Sequence, residues 1–135
     1  MRAVLDVNVL ISVLLSPTGS PARVLLAWQA GHFDMIVSPS LLTELRRALG
    51  YPKLRRRIRP EEADGLLAWL TRSAELVPDP DMPPPTRSPD PGDDYLLALA
   101  ADHDAILVSG DGHLLSMATG LPIHDPATFL TMLES

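Results

Sequence analysis

Residues 1–12 read MRAVLDVNVLIS, two apolar runs with an aspartate, Asp6, set between them. By hydrophobicity alone the second run suits either strand or helix. We read RAVL as a strand and start a helix near Asp6, so that the carboxylate falls where the first strand ends. At such a junction an aspartate is either a helix cap or one wall of a site.

Outward from this stretch the same alternation repeats. SPTGSP (16–21) is a turn, and Ser20 with Pro21 is the expected cap and first-turn pair of a helix over 22–31 that Gly31 closes. FDMIVS (33–38) reads as a second buried strand, and Ser38-Pro39 starts a helix through SLLTELRRAL, ended by Gly50. A short basic helix follows Tyr51-Pro52, and Pro60-Glu61-Glu62 opens another over 61–74 with acids in its first turn, as the helix dipole favours. ELV (75–77) is a third short strand. PDPDMPPPTRSPDPG (78–92) holds half of all the prolines and is excluded from helix and central strand, so it is expected as a surface loop. Beyond it, 93–104 is helical, AILVS (105–109) is a continuous apolar strand, GDGHLLSMATG (110–120) a short helix with a glycine stop, and PATFLTML (126–133) a terminal helix. Strands apolar on both faces and alternating with helices predict an α/β fold: a single domain over 1–135, its parallel sheet of about four or five strands sandwiched by helices.

The bulk composition sets limits. A chain of 135 residues suits one domain, and 46% hydrophobic with 21% charged residues places it among folded globular proteins. With no cysteine, disulfides, thiolate metal sites and cysteine nucleophiles are excluded, and a reducing cytosol is compatible. No export signal or membrane span is recognisable, so a cytoplasmic protein is expected. The net charge of −6 argues against a simple basic coat for nucleic acid. Yet seven of the eleven basic residues, Arg46, Arg47, Lys53, Arg55, Arg56, Arg57 and Arg59, cluster in one short stretch.

Functional groups of open parallel sheets gather outside the carboxyl ends of the strands. RAVL ends at Asp6 and AILVSG at Asp111, so both acids fall on one sheet edge. Glu44 sits at the margin of the apolar stripe Leu41, Leu42, Leu45, Ala48 and Leu49; its simpler reading is a solvated partner of Arg47 or Arg55. Of the pair opening the next helix, Asp93 reads as the better cap and Asp94, at helical spacing from Leu97, Ala98 and Ala101, as the better ligand, with Asp93 the alternative. Converging carboxylates repel and need a cation; oxygen ligands without cysteine select Mg²⁺ or Mn²⁺, which suits metal-assisted phosphodiester hydrolysis.

The stretches LDVNVLIS, LLTELRRAL and DDYLLALAADHDAILVSGDGHLL, in this order and spacing, resemble the PIN-domain nucleases, in particular the toxin components of bacterial toxin–antitoxin pairs. The resemblance spans almost the whole chain. It implies an acidic quartet, carried here by Asp6, Glu44, Asp94 and Asp111, with Asn8 and Ser109 as polar supports and RNA as the substrate. Where many relatives have a further acid after the fourth, this chain has Gly112 and His113, and His113 is kept as an auxiliary group. The resemblance also implies a cognate antitoxin and a homodimer; the apolar helices around ARVLLAWQAG and HDPATFLTML supply surface for the latter. The basic cluster is expected to hold the RNA backbone or to dock an acidic antitoxin segment. Trp28 and Trp69 are expected as core or dimer-interface anchors. Two rivals remain. A haloacid-dehalogenase-like phosphatase wants Asp-x-Asp after its first strand and a lysine, against Asn8 and a lone Lys53; a non-catalytic RNA-binding module would use the arginines alone.

Overall fold

The computed structural model describes residues 1–118 and 120–134. Its centre is a five-stranded sheet of β1 (Arg2–Leu5), β2 (Asp34–Val37), β3 (Glu75–Leu76), β4 (Ile106–Val108) and β5 (Ile123–His124), in the order β3-β2-β1-β4-β5. Every pairing is parallel. β1 runs beside β4 with Leu5 opposite Val108, so the expected α/β architecture stands, with strand β5 as an element that the sequence reading did not mark. Two residues are too few to show a period.

Between the strands run α1 (Val7–Leu15), α2 (Ser20–Gln29), α3 (Pro39–Leu49), α4 (Pro52–Arg55), α5 (Pro60–Ser73), α6 (Asp94–Asp102) and α7 (Gly112–Leu115), and α8 (Pro126–Leu133) follows the last strand. α3 starts where Ser38 accepts a hydrogen bond from the Leu41 N–H at 3.3 Å, with Pro39 in the first turn. α2 departs from expectation: its cap is Gly19, Ser20 already lies inside the helix, and no side chain caps it. Gly31, just past the end of that helix, has φ +83°, the left-handed conformation that glycine adopts at low cost. The segment 110–120 is helical only over α7 and then turns; Thr119 within it lies outside the described residues. The proline-rich loop is irregular as expected until Pro91–Asp93, which form a 3-10 turn leading into α6.

α1, α2, α3, α5 and α8 pack on one another, while α6 packs against β1 and β4. The core is continuous through the strands: Ala3, Val4, Leu5, Met35, Ile36, Val37, Leu107 and Val108 are all buried. Phe33 and Phe129 meet edge to face at 5.0 Å and fasten α8 to the core, and Trp28 and Trp69 stack at 4.8 Å between α2 and α5. Much of the apolar surface on α2 and α8 is therefore used within one chain. Among the described residues no single helix is long and apolar enough to cross a membrane.

Because Phe129 is fully buried and touches another ring, Phe129→Ala is expected to cost about 3–4 kcal/mol in urea unfolding. A loss under 1 kcal/mol would show that α8 is not part of the core.

Candidate active site

The strand order reverses direction at β1 and β4: the chain moves outward from β1 through β2 to β3, then returns to β4 and continues to β5. The crevice outside the carboxyl ends of two such strands is where open sheets place ligands. Asp6 follows β1 and Ser109 follows β4, and the two meet there. The Ser109 hydroxyl donates to Asp6 Oδ2 at 2.7 Å and accepts the Asp111 N–H at 3.0 Å, so one buried side chain joins both strand-end acids.

Both acids are caps as well as site walls. Asp6 Oδ1 accepts the Asn8 N–H at 3.3 Å at the start of α1, and Asp111 Oδ1 accepts the His113 N–H at 2.8 Å at the start of α7. Capping leaves each carboxylate with further lone pairs. Asp6 is only 4% exposed, and burial raises its pKa; the Ser109 hydroxyl and the Asn8 N–H pull it back, and the charge of Asp111 raises it again.

Of the pair at the start of α6, Asp93, the alternative, lies within electrostatic reach of Asp6 and Asp111, whereas the preferred Asp94 is engaged elsewhere. Asp94 Oδ1 accepts the buried Ser88 N–H at 2.8 Å, and its Oδ2 faces the Arg87 guanidinium at 3.3 Å. Asp94 is thus engaged with the loop before α6. Asp93 stands at the cap position of that helix yet makes no side-chain cap bond, and its Oδ2 is buried without a hydrogen-bond partner. Burial, then the charges of Asp6 and Asp111, push its pKa up to about 6, partly offset by the His113 ring nearby. Periodicity could not separate these neighbours, because the distinction is made by the tail of the proline-rich loop folding back onto α6.

Glu44 is held apart from this trio. Its two oxygens take Arg47 Nη2 at 2.6 Å and Nε at 3.1 Å, as the simpler sequence reading had it. The same residue lines a groove of about 440 Å³ with Ser40, Thr43, Asp79, Gly92 and Tyr95. Tyr95 and Asp79 were not singled out in the sequence. The Tyr95 phenol, raised in pKa by burial and then by Asp6, Glu44, Asp93 and Asp79, stays a neutral donor among acids. A second groove of about 430 Å³, with Asn8, Ser12, Ser20, Gly110, Asp111 and Asp125 in its walls, opens on the Asp111 side.

Among the described residues no three His, Asp or Glu side chains are grouped tightly enough to hold an ion as they stand. The chemistry of the donor set nevertheless fits one. Asp6, Asp93 and Asp111 repel one another, Asp93 presents an unpartnered buried oxygen, and all the donors are hard oxygens, the set that Mg²⁺ or Mn²⁺ prefers. The basic residues lie on α3, α4 and the turn after it, all exposed, with buried Ile58 anchoring the segment. Arg47 pairs with Glu44 and Arg59 with Glu62; among the described residues no ion pair engages Arg46, Lys53, Arg55, Arg56 or Arg57.

Comparison with known proteins agrees with this fold. A family model described as PIN domain matches residues 2–113. The uncharacterized protein MJ1680 of Methanocaldococcus jannaschii is 29% identical over 119 residues, 87% of this chain and 75% of that protein. The crystal structure of PAE2754 from Pyrobaculum aerophilum superposes with a TM-score of 0.66 at 17% identity, covering 99% of this chain and 90% of that one. VapBC2 from Rickettsia felis, crystallised with a DNA fragment from its promoter, gives a TM-score of 0.65 at 14% identity over 93% and 98%. At such identities the two structures are likenesses of fold. The family match runs from the first strand past Asp111, and on it this chain belongs to the PIN-domain family.

Proposed function

We propose that the protein is a metal-dependent endoribonuclease, the toxin of a toxin–antitoxin pair, acting in the cytoplasm. PIN domains are generally nucleases, and the observation that carries the reading is the trio of coupled carboxylates at the strand-order reversal, with the unpartnered Asp93 oxygen beside Asp6 and Asp111. Asp6, Asp93 and Asp111 would hold Mg²⁺ or Mn²⁺, with Glu44 available from the adjacent groove. Bound there, the cation supplies Lewis acidity that activates water and neutralises charge on the phosphate. The chain's own groups do the positioning. Ser109 keeps Asp6 and Asp111 side by side, Asn8 and the His113 ring stand at the rim, and the two grooves give a single strand a path on either side of the acids.

A polyanion approaching an acidic centre needs cations beside it. The unpaired set Arg46, Lys53, Arg55, Arg56 and Arg57 begins less than a turn beyond Glu44 on the same helix and is assigned to the RNA backbone, with Arg47 and Arg59 released from their acid partners when phosphate arrives. The solved VapBC2 assembly supports an antitoxin partner here by analogy. Leu26, 60% exposed beside a groove lined by Val13, Leu25 and Trp69, supports self-association. Membership of the PIN family leaves the phosphatase alternative without support, and a purely RNA-binding module has no use for carboxylates held against their own repulsion.

Asp93→Asn tests the centre in two ways. Because the folded-state pKa is about 6 against an ordinary 3.8, the ionised carboxylate weakens the metal-free fold above pH 6, and that cost fades as pH falls towards 4. Metal-free Asp93→Asn is therefore expected to be more stable than wild type at pH 7, by about 1 kcal/mol after solvent screening, with the gap closing near pH 4. Mn²⁺ should stabilise wild type and leave the variant unmoved; equal Mn²⁺ shifts in melting temperature would remove Asp93 from the site.

Arg55, Arg56 and Arg57 changed together to Ala should weaken RNA binding and reduce its salt slope by about 3. An unchanged slope would assign the patch to another partner. In cells, wild type should arrest growth and Asp6→Asn should not, with co-expressed antitoxin relieving the arrest; equal growth would refute the toxin reading. Light scattering of the purified chain should give a dimer, and a monomer at micromolar concentration would refute self-association.

A further inference from the structure

The proline-rich loop over 78–92 is fastened at both ends by carboxylates that accept backbone N–H groups across an element boundary. At its start Asp79 Oδ1 takes the Ser40 N–H at 3.1 Å, in the first turn of α3. At its end Asp94 Oδ1, in the first turn of α6, takes the Ser88 N–H at 2.8 Å. Between them Pro84 is buried, and it lines a cavity with Leu97 and Ala101 of α6. Of the two helices so joined, α3 carries Glu44 and α6 begins directly after Asp93.

The fastenings are unequal. Asp79 is exposed, whereas the Asp94 side chain is 13% exposed and Ser88 8%. A buried N–H such as that of Ser88 loses water on folding and must find an acceptor. Asp94 is that acceptor, and the Arg87 guanidinium, 69% exposed, adds only a screened attraction. With the loop drawn onto α6, Ser88 Oγ accepts the Asp90 N–H at 3.2 Å and Asp90 Oδ1 accepts the Gly92 N–H at 2.9 Å. These bonds lead from Ser88 into the 3-10 turn that ends at Asp93.

We propose that Asp94 is a positioning residue: its carboxylate straps the proline-rich loop to α6 and thereby aims Asp93 at Asp6 and Asp111, and it is not itself a metal ligand. The metal arm of this inference rests on the reading under Proposed function. The chemistry separates the two roles. A strap needs only an acceptor oxygen, which the neutral asparagine amide retains; a strong ligand to a hard cation needs the charge, which asparagine lacks.

The test uses the full chain as wild type, Asp94→Asn, Asp94→Ala and Asp93→Asn, with Mn²⁺ as the titrant in calorimetry. Amide hydrogen exchange of the metal-free proteins is followed at Ser88 and, as a check on folding, at Val4 and Leu107. Asp94→Asn should keep the Mn²⁺ dissociation constant within about threefold of wild type and keep Ser88 protected. Asp94→Ala should weaken Mn²⁺ tenfold or more and speed Ser88 exchange tenfold or more while Val4 and Leu107 stay protected. Asp93→Asn should lose Mn²⁺ binding with Ser88 exchange unchanged. Loss of Mn²⁺ binding in Asp94→Asn to the extent seen in Asp93→Asn would make Asp94 a ligand and overturn the proposal, as would unchanged Ser88 exchange in Asp94→Ala. Failure of wild type to bind Mn²⁺ would sink the metal reading, and Ser88 exchange alone would then decide the strap.

Discussion

The hydroxyl of Ser109 is the point on which the site turns. It stands where two strands are neighbours only because the chain doubles back, and it donates a hydrogen bond to Asp6 while accepting one from the Asp111 N–H. Without a donor at that place, Asp6 would be a buried carboxylate lacking its shortest hydrogen bond, with a second acid beside it. The backbone joins in: the Asp6 N–H reaches the Val108 carbonyl at 2.9 Å, so the register of β1 on β4 and the spacing of the two acids are one constraint. Anything that slipped the register would move both carboxylates and leave Ser109 unpaired.

The third acid makes the arrangement costly. Asp93 adds a third negative charge within reach of Asp6 and Asp111, and its buried Oδ2 has no hydrogen-bond partner. Folding alone gives no reason to tolerate this, since an asparagine or serine at the same helix start would cap as well without the repulsion. Perturbed groups of this kind concentrate at functional sites. The basic residues are placed on α3, α4 and the turn after it, where on the proposed reading they would meet a substrate's phosphates and leave the acids to one another.

What the sequence made legible follows from which rules are local. Asp6 and Asp111 could be found because a strand-to-helix junction is marked by hydrophobicity and because parallel sheets align their carboxyl ends. The sheet and the α/β class followed from the same alternation. The choice between Asp93 and Asp94 was not legible: helical spacing pointed Asp94 inward, but Ser88 and Arg87 claim it from a loop whose path leaves no periodic trace. Tyr95 was hidden for a related reason, as an aromatic residue beside an apolar stripe reads as core until the acids around it are seen in space. Gly19 displaced Ser20 as the cap of α2 because Ser20 was drawn into the first turn ahead of Pro21, and strand β5 was too short to register.

Glu44 shows how a site can be incomplete in one arrangement and still be poised for another. Its bond to Arg47 is bidentate, yet the two side chains are 37% and 62% exposed, and exposed pairs one turn apart on a helix contribute about 0.3–0.5 kcal/mol. On the proposed reading an arriving phosphate would compete for Arg47 and a cation for Glu44, so both halves of the pair would lose their reason to stay together. Asp6 and Asp111 have no such freedom, tied by Ser109 and by their helix caps. On the proposed reading the centre would consist of a fixed pair on the sheet edge, a third acid before α6, and a fourth on α3 that is cheap to release. Of the four acids only Asp6 is buried, while Asp93, Asp111 and Glu44 are all half-buried, so it is their hydrogen bonds that set Asp111 apart from Glu44.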